Sequence, residues 1–299
     1  MINLQMTNNT VLIVGSIGLD TIETSYGKRE DLLGGSATYA SISAGRFCSV
    51  NLVGVVGQDF PNKGKLIFKE FCDNIDDLKI EEGKTFRWGG RYHKNNDDRD
   101  TLFTDLGVFE NFKPKLSEVN KKANWVFLAN IHPALQLDVL QQCNSNPKII
   151  MDTMNLWINS TYDELLAVIR CANILLINES ELIELTRTRD LNKGAQKVID
   201  MGPENVVVKC GSKGSISYTK NNAISVGVVS NCKVVDPTGA GDSYGAGFIS
   251  GLVEGLSISN CMARGTVMAS FCIEDFGVNA MLDINKGEYL KRINSITTT

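Results

Sequence analysis

Five short apolar runs constrain this chain most: Val11-Leu12-Ile13-Val14, Trp125-Val126-Phe127-Leu128, Ile149-Ile150-Met151, Ile174-Leu175-Leu176-Ile177 and Val206-Val207-Val208. Helix-patterned segments, such as residues 165–172 and 194–201, lie between them. Runs this short and this apolar read as strands buried on both faces of a mostly parallel sheet. The expected class is doubly wound α/β.

The residues just after each run matter more, because ligands in open α/β sheets bind beyond the carboxyl ends of the strands. After the first run comes Gly15-Ser16-Ile17-Gly18-Leu19-Asp20. After the others come Asn130, Asp152 with Asn155, Asn178 with Glu181, and Lys209-Cys210-Gly211. Polar groups therefore collect along one edge of the sheet.

Residues 21–33 and 85–106 break this rhythm. The second segment holds Thr85-Phe86-Arg87-Trp88-Gly89-Gly90-Arg91-Tyr92 and Thr101-Leu102-Phe103-Thr104 on either side of Asn95-Asn96-Asp97-Asp98. An antiparallel hairpin is expected there, and the two segments together are expected to form a small β lid. No repeat or low-complexity linker interrupts residues 1–299, so one domain is expected.

Composition narrows the class. Of 299 residues, 43% are hydrophobic and 21% charged, a profile able to bury a large core. No run nears the roughly 18 apolar residues of a membrane helix, and no secretory leader pattern opens the chain, so the expected location is cytoplasmic. A net charge of -4 argues against a broad nucleic-acid footprint. The eight cysteines lie singly, many among apolar neighbours as in Arg170-Cys171-Ala172. That pattern predicts small buried hydrophobes rather than a zinc site.

The strongest motif is Asp236-Pro237-Thr238-Gly239-Ala240-Gly241-Asp242, continuing through Gly245 and Gly247. A Gly-Ala-Gly turn opening onto a helix offers backbone N–H groups at the positive end of the helix dipole, which makes an anion hole. Asp242, on the first turn, is placed to accept a proton from an attacking hydroxyl. Helix capping by Asp242 and close helix packing at Gly245 and Gly247 are the alternative reading. Near the N-terminus, Gly34-Gly35-Ser36 precedes another helix, where a polyol could approach backbone and Asp20 could accept its hydroxyls.

These segments, with Gly54-Val55-Val56-Gly57-Gln58-Asp59 and Asn178-Glu179-Ser180-Glu181, resemble in order and separation the PfkB, or ribokinase-like, carbohydrate kinase family. The resemblance runs from about Val11 to Gly277. It implies a ribokinase-like doubly wound sheet flanked by helices with a β lid, and ATP-dependent phosphorylation of a sugar, polyol or nucleoside. It makes Asp242 the catalytic base and Gly239, Ala240 and Gly241 the anion hole. Asn178 and Glu181 match the motif that places Mg²⁺ through water, while Lys209, Gly211 and Gly214 fall on the turn bordering ATP. Asp20, Gly34, Gly35, Ser36 and Tyr39 fall on acceptor positions, and the chain departs from the family at Tyr39, where many members carry an acceptor-binding asparagine. Arg91 and Asn130 are further acceptor candidates, as are the aromatic faces of Trp88, Phe103 and Trp157. Backbone around Asp236 and Thr238 is a candidate K⁺ site, and a homodimer through the lid is a candidate assembly. An inactive ligand-binding protein or sensor of the same fold is the competing class, but it would be expected to lose Asp242 or the glycines before it.

Overall fold

The computed structural model describes residues 10–93 and 99–298. Its strands are β1 (Thr10–Val14), β2 (Gly18–Thr24), β3 (Gly27–Gly34), β4 (Ser49–Gly57), β5 (Asn74–Glu81), β6 (Phe86–Tyr92), β7 (Arg99–Asp105), β8 (Trp125–Leu128), β9 (Lys148–Asp152), β10 (Ile174–Asn178), β11 (Asn205–Lys209), β12 (Ser215–Tyr218) and β13 (Ala223–Val226). Nine of them form one sheet in the order β13-β12-β11-β10-β9-β8-β1-β4-β5. From β11 to β5 every pairing is parallel, and β12 and β13 add an antiparallel edge.

Alternation explains the continuous apolar runs. Ile13, Phe127, Ile150, Leu176 and Val207 pack on one side with Tyr244, Phe248 and Ile249. Their chain neighbours Leu12, Val126, Met151, Leu175 and Val206 pack on the other with Leu165, Val168 and Ile169. Each such buried side chain contributes about 1.5–3 kcal/mol. β4 and β5 lie outside the five expected strands. Asn51 and two glycines interrupt β4. The buried Asn51 amide donates to Asn120 at 2.5 Å, and Asn120 in turn donates to Asp77 of β5 at 2.6 Å.

The helix Ala240–Val253 lies unusually close to its neighbours. A Cβ on Gly245 would stand 2.7 Å from the Phe127 ring, and one on Gly247 only 3.0 Å from Gly265 Cα in the helix Ile258–Cys272. The close-packing reading of these glycines is therefore correct, and it complements the anion-hole reading: tight seating sets this helix's N-terminus over the strand ends.

The other four strands form the sheet β3-β2-β6-β7. The expected hairpin is β6 and β7, while Asn95, Asn96, Asp97 and Asp98 lie outside the described residues. The first lid segment begins earlier than expected, at Gly18, which puts Asp20 on the lid sheet itself. Register sends Asp20, Ile22, Trp88, Gly90, Tyr92 and Arg99 to one face and Glu23, Gly89, Arg91 and Phe103 to the other. The first face meets the body, where Ile22 and Tyr92 pack with Val235 and Phe276. Asp59, from the Gly54 to Asp59 motif, anchors the base of β6. It accepts the Thr85 hydroxyl at 2.6 Å and N–H at 2.7 Å, and pairs with Arg87 at 3.3 Å.

Cys72, Cys261 and Cys272 are buried as expected, whereas Cys171 is exposed. It ends the helix Tyr162–Cys171, whose buried stripe is Leu165, Val168 and Ile169. Among the described residues no helix is long and apolar enough to cross a membrane.

Candidate active site

The corner at residues 236–242 is held from below. Asp236 is fully buried, and its carboxylate accepts the N–H of Thr238 and of Gly277, each at 2.9 Å. Burial raises its pKa above the ordinary carboxylate value, with these bonds opposing. Gly239 caps the helix at φ 77°, a left-handed conformation that favours glycine. A Cβ there would also strike the Tyr39 ring at 2.3 Å.

Asp242, on the first turn, is pushed up to about 7, first by burial and then by Asp152, while Lys209 and Arg99 pull it down. A carboxyl with that value can take a proton near neutrality. The ammonium of Lys209 lies 2.7 and 2.9 Å from the two Asp152 oxygens, and a Cβ on Gly241 would stand 3.3 Å from it. Lys209 thus brings positive charge to the helix N-terminus, where the dipole already favours an anion.

Asn178 and Glu181 form a capping box on the helix Glu179–Thr186. Asn178 Oδ1 accepts the Glu181 N–H at 2.8 Å, and Glu181 Oε2 accepts the Asn178 N–H at 3.0 Å. Burial pushes Glu181 up to about 7, with Lys209 opposing. Gly211 and Gly214, at φ 57° and 92°, shape the turn between β11 and β12, closed by Cys210 N–H donating to the Gly214 carbonyl at 2.8 Å.

On the opposite wall, Asp20 is 3% exposed. Burial, then Asp236 and Asp242, push it up to about 8, while the Gly35 N–H opposes the rise. Gly34 lies directly against it: a Cβ would meet Asp20 Oδ2 at 2.0 Å. Ser36 is near, but its hydroxyl bonds the Ser16 N–H at 3.1 Å and the Asn130 carbonyl at 3.0 Å, latching three loops together. The Asn130 side chain accepts from Trp157 Nε1 at 2.8 Å and donates to Met154 Sδ at 3.0 Å.

Three acceptor candidates are not brought into the cleft, one of them Phe103, which lies exposed on the outer face of the lid. Tyr39 is 1% exposed, its ring behind Gly239, because it projects from the buried helix Ser36–Ala44 toward the corner. Burial and the nearby Asp20 and Asp236 raise its pKa well above the usual tyrosine value. Arg91 is on the outer face of the lid, paired with Glu23 at 3.0 Å. Arg99, which sequence reasoning passed over, is on the inner face, its guanidinium 5.6 Å from the Trp88 ring centroid. Alternation with Trp88 and Tyr92 on one strand was the signal that turns Arg91 outward, whereas Arg99 reaches the inner face only through its pairing with Tyr92. Asp152 was visible as a polar residue after a strand, but nothing in the sequence pairs it with Lys209.

A doubly wound sheet, a glycine turn opening a helix at its strand ends, an acid on that helix's first turn and a small second sheet opposite form an architecture suited to phosphoryl transfer. The family model for the pfkB family carbohydrate kinases matches residues 11–285, and the chain belongs to that family. A nucleoside kinase of Methanocaldococcus jannaschii is 29% identical over 251 residues, covering 83% of this chain and 82% of the relative. A cytidine kinase of Thermococcus kodakarensis is 25% identical over 278 residues, covering 89% and 97%. The crystal structure of the M. jannaschii nucleoside kinase superposes with a TM-score of 0.78 at 24% identity, covering 96% of this chain and 98% of that one. Arabidopsis thaliana ribokinase, solved with ribose and ATP, gives 0.77 at 22%, covering 95% and 98%. The protein is an ATP-dependent carbohydrate or nucleoside kinase, and the inactive-sensor alternative is not favoured.

Proposed function

We propose that this kinase moves the γ-phosphoryl group of ATP onto a hydroxyl of the sugar moiety of a nucleoside, with Asp242 as general base and Asp20 orienting the acceptor. The observation that carries this reading is the convergence of Asp20, from the lid sheet, and Asp242, from the anion corner, close enough that Asp242 helps to raise Asp20. Asp242 takes the proton of the attacking hydroxyl as its oxygen bonds the γ-phosphorus. The bond from that phosphorus to the β,γ-bridging oxygen breaks, and ADP leaves with the electron pair. The N–H groups of Gly239 and Gly241 face the developing charge, and that of Ala240, which donates to the Pro237 carbonyl at 3.3 Å, joins them when the acceptor and ATP are bound.

The relatives named nucleoside kinase and cytidine kinase support a nucleoside over a free sugar. Trp88 supports it further, since its ring lies over Gly90 on the inner lid face and offers a surface for a base. Mg²⁺ enters with ATP as part of the substrate. Glu181 fits a place beside the hydrated ion, which would draw off the proton that burial retains on this carboxyl. Gly34 and Gly35 let the Asp20 carboxylate and the Ser16 carbonyl pack directly against the backbone and so seat Asp20, and Lys209 and the Gly211 to Gly214 turn border the phosphates. Asp236 and Thr238 brace the corner. The Asp236 carboxylate oxygens accept the N–H groups of Thr238 and Gly277, which leaves the backbone oxygens of Asp236 and Thr238, the latter accepting the Cys272 thiol at 3.2 Å, as the candidate ligands of K⁺, and no step is routed through that ion.

An ATP-consumption screen over cytidine, adenosine, other nucleosides, ribose and polyols, with and without K⁺, tests this reading. Nucleosides are expected to turn over fastest. A free sugar outrunning every nucleoside would overturn the acceptor assignment, and a strict K⁺ requirement would return Asp236 and Thr238 to a cation.

A further inference from the structure

The same alternation that buries Ile150 and Val207 against the Ala240–Val253 helix sends the residues two further on, Asp152 and Lys209, toward that helix's first turn. They end β9 and β11, and β10 runs between them with Leu176 opposite Asp152 and Asn178 opposite Lys209. Adjacent strands lie about 4.8 Å apart, so the pair reaches across roughly 10 Å of sheet, and an extended lysine and an aspartate together span that distance. The Lys209 side chain is 17% exposed and that of Asp152 4%.

We propose that Lys209, held by Asp152, touches the phosphoryl group in transfer and balances its charge, and that Asp152 is a positioning residue acting only through Lys209. The inference rests on the kinase reading above and adds a cation to it.

Three observations support it. The ammonium stands at Gly241, within the turn that faces the transferred group. Asp152, Glu181 and Asp242 gather three acids at the strand ends, and without Lys209 their field would repel a polyphosphate. A strut is a poor account of the pair, because β9 and β11 are already joined through the β10 ladder and a buried ion pair is weak evidence for stability. Burial alone would lower the Lys209 pKa, but Asp152 and Glu181 beside it carry the value above that of an ordinary lysine. Lys209 therefore stays charged and exchanges no proton in the step.

The test is a double-mutant cycle of Lys209→Met, Asp152→Asn and both together, measured by turnover of Mg·ATP with cytidine, adenosine and ribose and by melting temperature. Lys209→Met is expected to lower kcat about a hundredfold, the scale of losing one oxyanion contact, while acceptor KM stays within about threefold. Asp152→Asn is expected to lower kcat in the wild-type background and to change nothing further once Lys209 is Met. The double variant, free of an unpaired buried charge, should melt near the wild type and remain slow. Recovery of the double variant to within about fivefold of wild-type turnover would show a strut and overturn the proposal.

Calorimetry separates this failure from failure of the kinase reading. Lys209→Met should weaken binding of ADP with aluminium fluoride by about tenfold while leaving ADP alone within about threefold. Equal binding of both by wild type and variant would also overturn the proposal. A wild-type protein inactive on every acceptor would instead remove the kinase reading, and the calorimetric comparison would still judge Lys209.

Discussion

The anion corner and the lid sheet contribute opposing walls of one cleft but are held in place to very different degrees. In the corner, Asp236 is fully buried with both oxygens engaged, Gly239 is pinned against Tyr39, and the helix behind it is seated through glycines. In the lid, β7 is exposed along its whole length and β3 over its first five residues. Its ion pairs, Arg87 with Asp31 and Arg91 with Glu23, are of the surface kind worth about 0–1 kcal/mol each. Phosphoryl transfer needs charges fixed before the reaction, whereas enclosing an acceptor needs a wall that can move. Under the proposed function the rigid region would carry chemistry common to many acceptors, and the loosely held one the choice among them.

The most severe challenge to this division of labour is at Asp242. Asp242→Asn should lower kcat by about a hundredfold or more with ATP affinity nearly unchanged. In the wild type, kcat/KM should rise about tenfold per pH unit below pH 7 and level off above it, because the base works only when ionised and its pKa is pushed up to about 7. Steady-state rates from pH 5.5 to 9 check this, and wild-type rates independent of pH would remove Asp242 as the base.

A smaller effect is expected at Asp20, on the lid side. Asp20→Asn should raise acceptor KM about tenfold, the cost of losing one hydrogen bond, with ATP KM little changed. It should also stabilise the unliganded protein in a pH-dependent way. Asp20 is raised to about 8 in the folded state, so between about pH 4 and 8 the folded protein holds a proton that the unfolded chain releases, and stability falls as pH rises through that window. The variant should therefore melt higher than wild type at pH 8.5, on the order of 1–3 kcal/mol, and equally at pH 4. Identical melting curves at both pH values would mean that Asp20 is not held protonated by its surroundings.

The smallest effects should separate the two faces of the lid. Arg99→Ala is expected to cost about tenfold in kcat/KM, because its charge acts on Asp242 and Glu181. Arg91→Ala should cost less than about twofold, as an exposed ion pair lost from the outer face. Kinetics on the matched pair check this, and equal losses would erase the distinction drawn from strand parity.

Much of the rigid region was legible in the chain. Glycines at 239, 241, 245 and 247 announce a tight turn and a closely packed helix, because few other residues meet those steric demands. Asn178 and Glu181 are three residues apart, the spacing of a capping box, which the structure forms. The lid read less well. Its hairpin was visible, but which arginine turns inward depends on register, and a shift of one residue reverses every face. Tyr39, which the resemblance puts on an acceptor position although the chain departs from the family there, is carried by helix phase to a place behind Gly239.

The doubly wound class, the tight glycine turn and the presence of an acid on the helix that follows it were legible in the amino-acid order alone, since they arise from local periodicity and from backbone conformations that few residues adopt. It took the folded chain to show that Lys209 and Asp152 meet beneath that turn, that Arg99 rather than Arg91 faces the cleft, and that Ser36 commits its hydroxyl to a latch. Each of these joins residues far apart in the chain, through strand order, register and burial, and local sequence carries no signal for which distant partner a charge or hydroxyl will find.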